Sequence, residues 1–290
     1  MQKPLIVVSG KNGQLGWELE QLSAAYSNRF AFLFTDRSLL DFSDPASIVS
    51  FFQQYQPAYF INCAAYTAVD KAETEQELAY QINAASVAVL AEQCKACQCK
   101  LVTISTDYVF DGKGVAPYKT DESTNPVNYY GFTKLEGEKL ALQNNSETII
   151  IRTSWLYSSH GGNFVKTMLR LMKERPEIKV VDDQVGCPTY AADLAKAIIQ
   201  VISSIQEGRR HFGIYHFSNT GNISWYAFAV AINRLAGTNC QVLPQPGSAY
   251  PAPAKRPAYS VMDLSAIQKD YGIIINDWQE SLQKCLSLLL

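Results

Sequence analysis

No apolar run in this 290-residue chain approaches the roughly 20 residues a membrane-spanning helix requires, so no transmembrane segment is expected. Excess charge of either sign is missing too. With 25 Lys and Arg against 27 Asp and Glu, a net charge of −2 offers no field for gripping nucleic acid or an anionic membrane. Histidine is scarce, and His160, His211 and His216 are too scattered for a Ser-His-Asp set to be argued from spacing. Seven cysteines, an odd number irregularly spaced, give no disulfide framework and fit a reducing compartment. The Cys94, Cys97 and Cys99 cluster lacks the second pair or nearby histidine that structural zinc needs, so these read as ordinary thiols. The apolar stretch within Met1–Gly10 is too short for a signal peptide, which predicts a cytoplasmic protein. A composition 47% hydrophobic and 18% charged excludes disorder and collagen-like architecture.

What is present is alternation. Short apolar runs at Leu5–Val8, Phe30–Phe34, Tyr59–Cys63, Leu101–Ile104 and Thr148–Ile151 are separated by amphipathic stretches at Gln14–Tyr26, Pro45–Gln54, Glu75–Ala96 and Tyr129–Gln143. The runs are continuously hydrophobic, as for strands buried on both faces. The pattern therefore predicts an α/β fold, a doubly wound parallel sheet with helices on both sides. Beyond residue 155 the texture changes. Helices are expected at Asn163–Lys173 and Ala191–Ile205, a strand at Gly213–Phe217, and a Pro-rich loop over Gln241–Pro257. The expected organisation is a dinucleotide-binding domain over 1–155, completed by segments around 191–218. A smaller, interleaved substrate-binding lobe over 156–290 follows.

Leu5–Trp17 reads as strand, glycine-rich turn, then helix, with Gly10, Gly13 and Gly16 in a G-x-x-G-x-x-G spacing. A dinucleotide's pyrophosphate needs close backbone approach and N–H donors, which a helix N-terminus supplies together with its dipole. Asn12, Gln14 and Leu15, interleaved with the glycines, are cofactor-binding candidates with them. Asp36 closes the next strand, where its carboxylate suits a ribose, while the adjacent Arg37 suits a 2′-phosphate. The pair leaves NADH and NADPH both open.

Tyr130 and Lys134 stand four residues apart, on one face of a helix. A phenol titrating near 10 is a poor proton-transfer group at neutral pH, and a neighbouring cation is expected to lower that value. The strand Leu101–Ile104 runs on into Ser105, Thr106 and Asp107. Hydroxyls at the carboxyl end of such a strand lie where open α/β sheets bind ligands. Thr106 and Tyr130 thus become candidates to hold and protonate a carbonyl oxygen during hydride transfer.

These residues together resemble the extended short-chain dehydrogenase/reductase family, which implies a Rossmann fold, a nicotinamide cofactor and a catalytic Thr106, Tyr130 and Lys134. Longer segments are similar to its dTDP-4-dehydrorhamnose reductase branch: Ala65–Glu73, Ser105–Gly112, Arg152–Trp155, Asp183–Thr189 and Pro251–Pro257. That resemblance implies NAD(P)H-dependent reduction of the 4-keto group of dTDP-4-dehydro-6-deoxy-L-mannose to dTDP-L-rhamnose. It also implies roles for individual residues. Asp41 and Phe42 would flank the adenine, and Ala64, Ala65, Tyr66 and Thr67 would line the cofactor. Thr106 and Asp107 would contact the sugar, and Trp155 would lie against the thymine. Asn163 and Arg256 are candidates for the sugar and the diphosphate, since a bidentate guanidinium suits phosphate. Some relatives dimerise through a metal bridged by glutamates. Glu18 stands near a suitable place, but Thr189–Asp193 offers Asp193 and no glutamate, which counts against a metal-linked dimer and leaves the assembly of a homodimer open.

Two other functions compete. A dehydratase of this fold needs Asp-Glu after the hydroxyl strand end, and here Tyr108 follows Asp107; an epimerase is less firmly excluded. A non-catalytic nucleotide-binding subunit would tend to lose Tyr130 or Lys134, and both are present.

Overall fold

The computed structural model describes residues 3–290. Six strands, β1 (Leu5–Ser9), β2 (Ala31–Thr35), β3 (Tyr59–Asn62), β4 (Lys100–Thr106), β5 (Thr148–Thr153) and β6 (Gly213–His216), pair in parallel in the order β6-β5-β4-β3-β1-β2. Alternate side chains feed two cores. Ile6, Val8 and Ile61 join one that includes Leu19, Leu194 and Ile198. Val7, Phe60 and Leu101 join another with Ile48, Phe51 and Leu90. The inner strands are thus buried on both faces, which is why their sequences are apolar almost throughout rather than alternating.

On the first face lie α1 (Gln14–Ser23) and the helix Ala191–Gln206; on the second lie Pro45–Gln54, Ser86–Ala96 and α2 (Tyr129–Asn144). The order reverses at β1, whose neighbours are β2 and β3. Such a switch point opens a crevice at the carboxyl ends of the strands. A separate cluster around Tyr157, Met168, Phe228 and Trp278 holds the helices Phe164–Glu174 and Trp225–Ala236 together. No helix among the described residues is long and apolar enough to cross a membrane.

Three expectations are corrected. The helix expected over Glu75–Ala96 is instead Gln76–Tyr80, a π-helical turn at Gln81–Ala85, and Ser86–Ala96. Within that turn the amide of the buried Asn83 bridges the Tyr66 backbone and the Thr133 hydroxyl. The stretch expected to continue as helix from Gln14 to Tyr26 tightens after Ser23 into a 3-10 turn. The segment read as a loop over Gln241–Pro257 contains a strand, Gln241–Gln245, paired in parallel with Glu177–Val181. Pro244 is tolerated because this sheet has only two strands, so one edge never needs its missing N–H.

Candidate active site

A cleft of about 720 Å³ opens at the carboxyl ends of the strands, within the range of small-ligand sites. Its floor is backbone. Gly10 takes a left-handed φ of +73°, and a Cβ at Gly16 would lie 2.3 Å from the Gly10 carbonyl oxygen, so only glycine lets helix and turn approach this closely. Gly13, the N-cap of α1, has no side chain to accept from the helix's first N–H groups. First-turn N–H groups with no side-chain cap fit a pyrophosphate. Asn12, Gly13, Gln14, Leu15 and Gly16 all line the cleft, as do Asp36, Arg37, Asp41, Phe42, Ala64, Ala65 and Thr67.

At the tip of β2, Asp36 is not free. Its carboxylate meets the Lys11 ammonium at 2.8 Å and accepts from the Ser38 backbone and hydroxyl at 3.1 and 2.6 Å. The Lys11 and Ser38 bonds hold its carboxyl down at about 2, so it stays ionised. Arg37 stands beside it, 3.7 Å from Asp41. Sequence reasoning missed Lys11, because nothing in its spacing ties it to the next strand.

The candidate proton-transfer groups come together where β4 meets α2. Asn128 caps α2 by accepting from Gly131 N–H at 2.8 Å, and Glu73 accepts from Tyr129 N–H at 2.9 Å. A Cβ at Gly131 would stand 2.2 Å from the Tyr108 carbonyl oxygen, so the helix start packs flush against the end of β4. Thr106, Asp107, Tyr130 and Lys134 then all line the cleft. Thr106 Oγ1 donates to Asp107 Oδ1 at 3.0 Å, and the other Asp107 oxygen is buried without a partner. Burial is the main reason the Asp107 carboxyl is pushed up to about 7.

The electrostatics differ from the expectation for Tyr130. Burial pushes its phenol up to about 12; a hydrogen bond with Thr106 works against this, and the Asp107 charge adds to it. Lys134 does not lower it, because burial instead brings the ammonium down to about 8 and its Nζ donates to the Ile104 carbonyl at 2.6 Å. Tyr130 is therefore held as a neutral acid, the form a carbonyl reduction uses. Tyr108, where a dehydratase would carry glutamate, packs edge-on against Tyr130 at 5.8 Å, with its own phenol pushed up by burial.

The far wall is aromatic. Trp155 lines the cleft with an unusual left-handed φ of +48° and stacks on Trp225 at 3.5 Å between ring centres. Trp225 in turn leans on Phe164 at 4.5 Å. Trp225, Gly161 and Gly162 complete this wall. No sequence signal marked Trp225, which is the first residue of a helix far along the chain.

Three singled-out residues do not line the cleft. Tyr66 turns its hydroxyl to Glu75 at 2.7 Å. Asn163 caps the helix Phe164–Glu174, donating to Ser158 O at 2.7 Å and to Gln14 Oε1 at 3.0 Å, so it steadies the glycine turn from outside. Arg256 is spent on a bidentate pair with Asp70, at 2.5 and 2.8 Å. That pair links two of the family-like segments. The Pro-rich loop is further tied to the start of α2 by Asn128 Nδ2, which donates to the Lys255 carbonyl at 2.8 Å. No group of three or more metal-ligating side chains forms among the described residues. Glu18 instead accepts from the Ser158 hydroxyl at 2.6 Å, and burial pushes its carboxyl up.

Comparison with known proteins identifies the family. Residues 3–290 match the model of the RmlD substrate binding domain family, and the chain belongs to that family. It is 41% identical to a dTDP-4-dehydrorhamnose reductase of Aggregatibacter actinomycetemcomitans over 285 residues, 96% of this chain and 97% of the relative. A crystal structure of a dTDP-4-dehydrorhamnose reductase from Clostridium acetobutylicum superposes with a TM-score of 0.93 at 41% identity, covering 98% of this chain and 99% of that one. The Bacillus anthracis reductase, solved in complex with NADP, gives 0.93 at 39% identity and covers 99% of each chain.

Proposed function

We propose that this chain catalyses the NAD(P)H-dependent reduction of the 4-keto group of dTDP-4-dehydro-6-deoxy-L-mannose, giving dTDP-L-rhamnose. The observation that carries this reading is that one cleft holds both the glycine cradle and a neutral, half-buried phenol beside a hydroxyl strand end. When bound, the dinucleotide supplies the hydride. The cradle at Gly10, Gly13 and Gly16 seats the pyrophosphate, and Asp36 accepts from the adenosine ribose, with Lys11 and Arg37 on hand for a 2′-phosphate. Both coenzymes are therefore served. Thr106 and Tyr130 orient the ketone oxygen. Tyr130 then gives its phenolic proton to the developing alkoxide, and the Lys134 ammonium holds the coenzyme ribose beside it. Trp155 and Trp225 offer flat faces to the thymine.

A cytoplasmic location and a homodimer without a bridging metal belong to the same reading; sedimentation of the purified protein with and without chelator tests the assembly.

The experiment is absorbance at the reduced-nicotinamide band with NADH and NADPH in turn, against a panel of nucleotide-linked keto sugars. Oxidation with the dTDP-4-keto-6-deoxy sugar alone is expected. Oxidation with none of the panel would overturn the reading, as would an epimerised product without net coenzyme consumption.

A further inference from the structure

Helix α2 carries three ionisable groups at successive four-residue steps, Tyr130, Lys134 and Glu138, which puts them on one face. The first two line the cleft; the third does not, and it is almost fully buried beneath them. Glu138 meets the equally buried Arg152 in a fork. Nε donates to Oε1 at 2.9 Å and Nη2 to Oε2 at 2.6 Å. Ser105 Oγ, one residue before Thr106, donates to the same Oε1 at 2.5 Å. The guanidinium also lies 5.1 Å from the centre of the Phe110 ring and donates to the Thr120 carbonyl at 3.4 Å.

A buried ion pair is a poor device for stability, since well-packed apolar side chains often serve as well or better. Its position explains it more readily. Lys134 is buried at the cleft, and an ammonium there loses its hydration. Of the groups near it, Tyr130 is neutral, and the Cys63 thiol at the end of β3 is pushed up by burial and stays uncharged. His216 on β6, 3.5 Å from Arg152, is brought down to about 3 by burial and stays neutral as well. Asp107, following β4, faces Tyr130. That leaves Glu138 as the fixed anion that favours the ammonium.

We propose that the Glu138–Arg152 pair is a positioning device. Arg152 and Ser105 pin the Glu138 carboxylate in place, Glu138 keeps Lys134 protonated, and the Ser105 bond locks the strand end that presents Thr106. Neither Glu138 nor Arg152 touches the reacting atoms. The inference rests on the catalytic reading of Tyr130 and Lys134 given above.

The test is the pH profile of kcat for coenzyme oxidation, together with the titration of Lys134 followed by NMR on 13C-labelled lysine in the intact protein. In the unaltered protein, rate should fall as pH rises through about 8, where Lys134 loses its proton. In Glu138→Gln that fall should begin about one pH unit lower. The variant should then lose about fivefold in kcat at pH 8, with much less loss at pH 6.5 and little change in KM. Glu138→Asp should recover part of the shift. Because Glu138→Gln leaves a guanidinium buried alone, the double variant Glu138→Gln/Arg152→Gln removes both charges and keeps the test open. It too should show Lys134 titrating lower, since the anion is gone. An equal loss of rate at every pH, or a Lys134 titration unmoved in either variant, would reduce the pair to ordinary packing and overturn the proposal. Failure of the catalytic reading looks different. There, Tyr130→Phe would keep full turnover while the lysine titration still moved.

Discussion

Backbone builds one wall of the cleft, and side chains build the other. Along the strand ends, glycines at 10 and 16 hold the chain in a shape that only the absence of Cβ permits, and Asp36 and Lys11 close the far end. Across the opening, the surface is Trp155 stacked on Trp225, with the first of these held in a left-handed conformation. The backbone wall suits a ligand portion common to many enzymes, a dinucleotide. The aromatic wall offers plane faces that accept one kind of base as readily as another, so discrimination there must come from the edges. Between the walls stand Thr106, Tyr130 and Lys134, the groups proposed to carry the chemistry.

Substitutions on the two walls and between them should therefore fail differently. Between the walls, Tyr130→Phe should lower kcat by roughly 10²–10⁴-fold and leave coenzyme affinity unchanged in a fluorescence titration. On the backbone wall, Gly16→Ala drives a Cβ against the Gly10 carbonyl. It should weaken coenzyme binding at least about tenfold and cost roughly 1–3 kcal/mol of stability, read by denaturant unfolding. On the aromatic wall, Trp225→Ala should raise KM for the nucleotide sugar by roughly three- to tenfold while kcat changes less, the scale of one lost stacking contact. An effect on coenzyme affinity instead would move Trp225 to the other ligand. The smallest effect is expected at Arg256→Ala. The residue's partner Asp70 is partly exposed, so the loss should stay under about 1 kcal/mol with KM unchanged. A large rise in KM would return Arg256 to the diphosphate.

The backbone wall was the legible one. Glycine spacing, a preceding apolar strand and a following amphipathic helix are local features, and they led to the loop, to Asp36 and to the parallel sheet. The Tyr130–Lys134 spacing was equally local, although its electrostatics were not. Whether Lys134 lowers the phenol or spends its proton on the Ile104 carbonyl depends on burial, which no four-residue spacing reveals. What stayed hidden was contact across long stretches of chain. Arg256 suits a diphosphate when read alone, and only folding brings it to Asp70. Glu73 gives no local sign that its carboxylate accepts from Tyr129 N–H. Pro-rich sequence concealed the strand Gln241–Gln245 because an edge position forgives proline.

Reduction is tested most directly by following the hydrogen itself. With coenzyme deuterated on the transferring carbon and dTDP-4-dehydro-6-deoxy-L-mannose in ordinary water, the product should carry one deuterium at C4, with one coenzyme oxidised per sugar. A product without deuterium at that carbon, or turnover of the sugar with the coenzyme left reduced, would contradict the account.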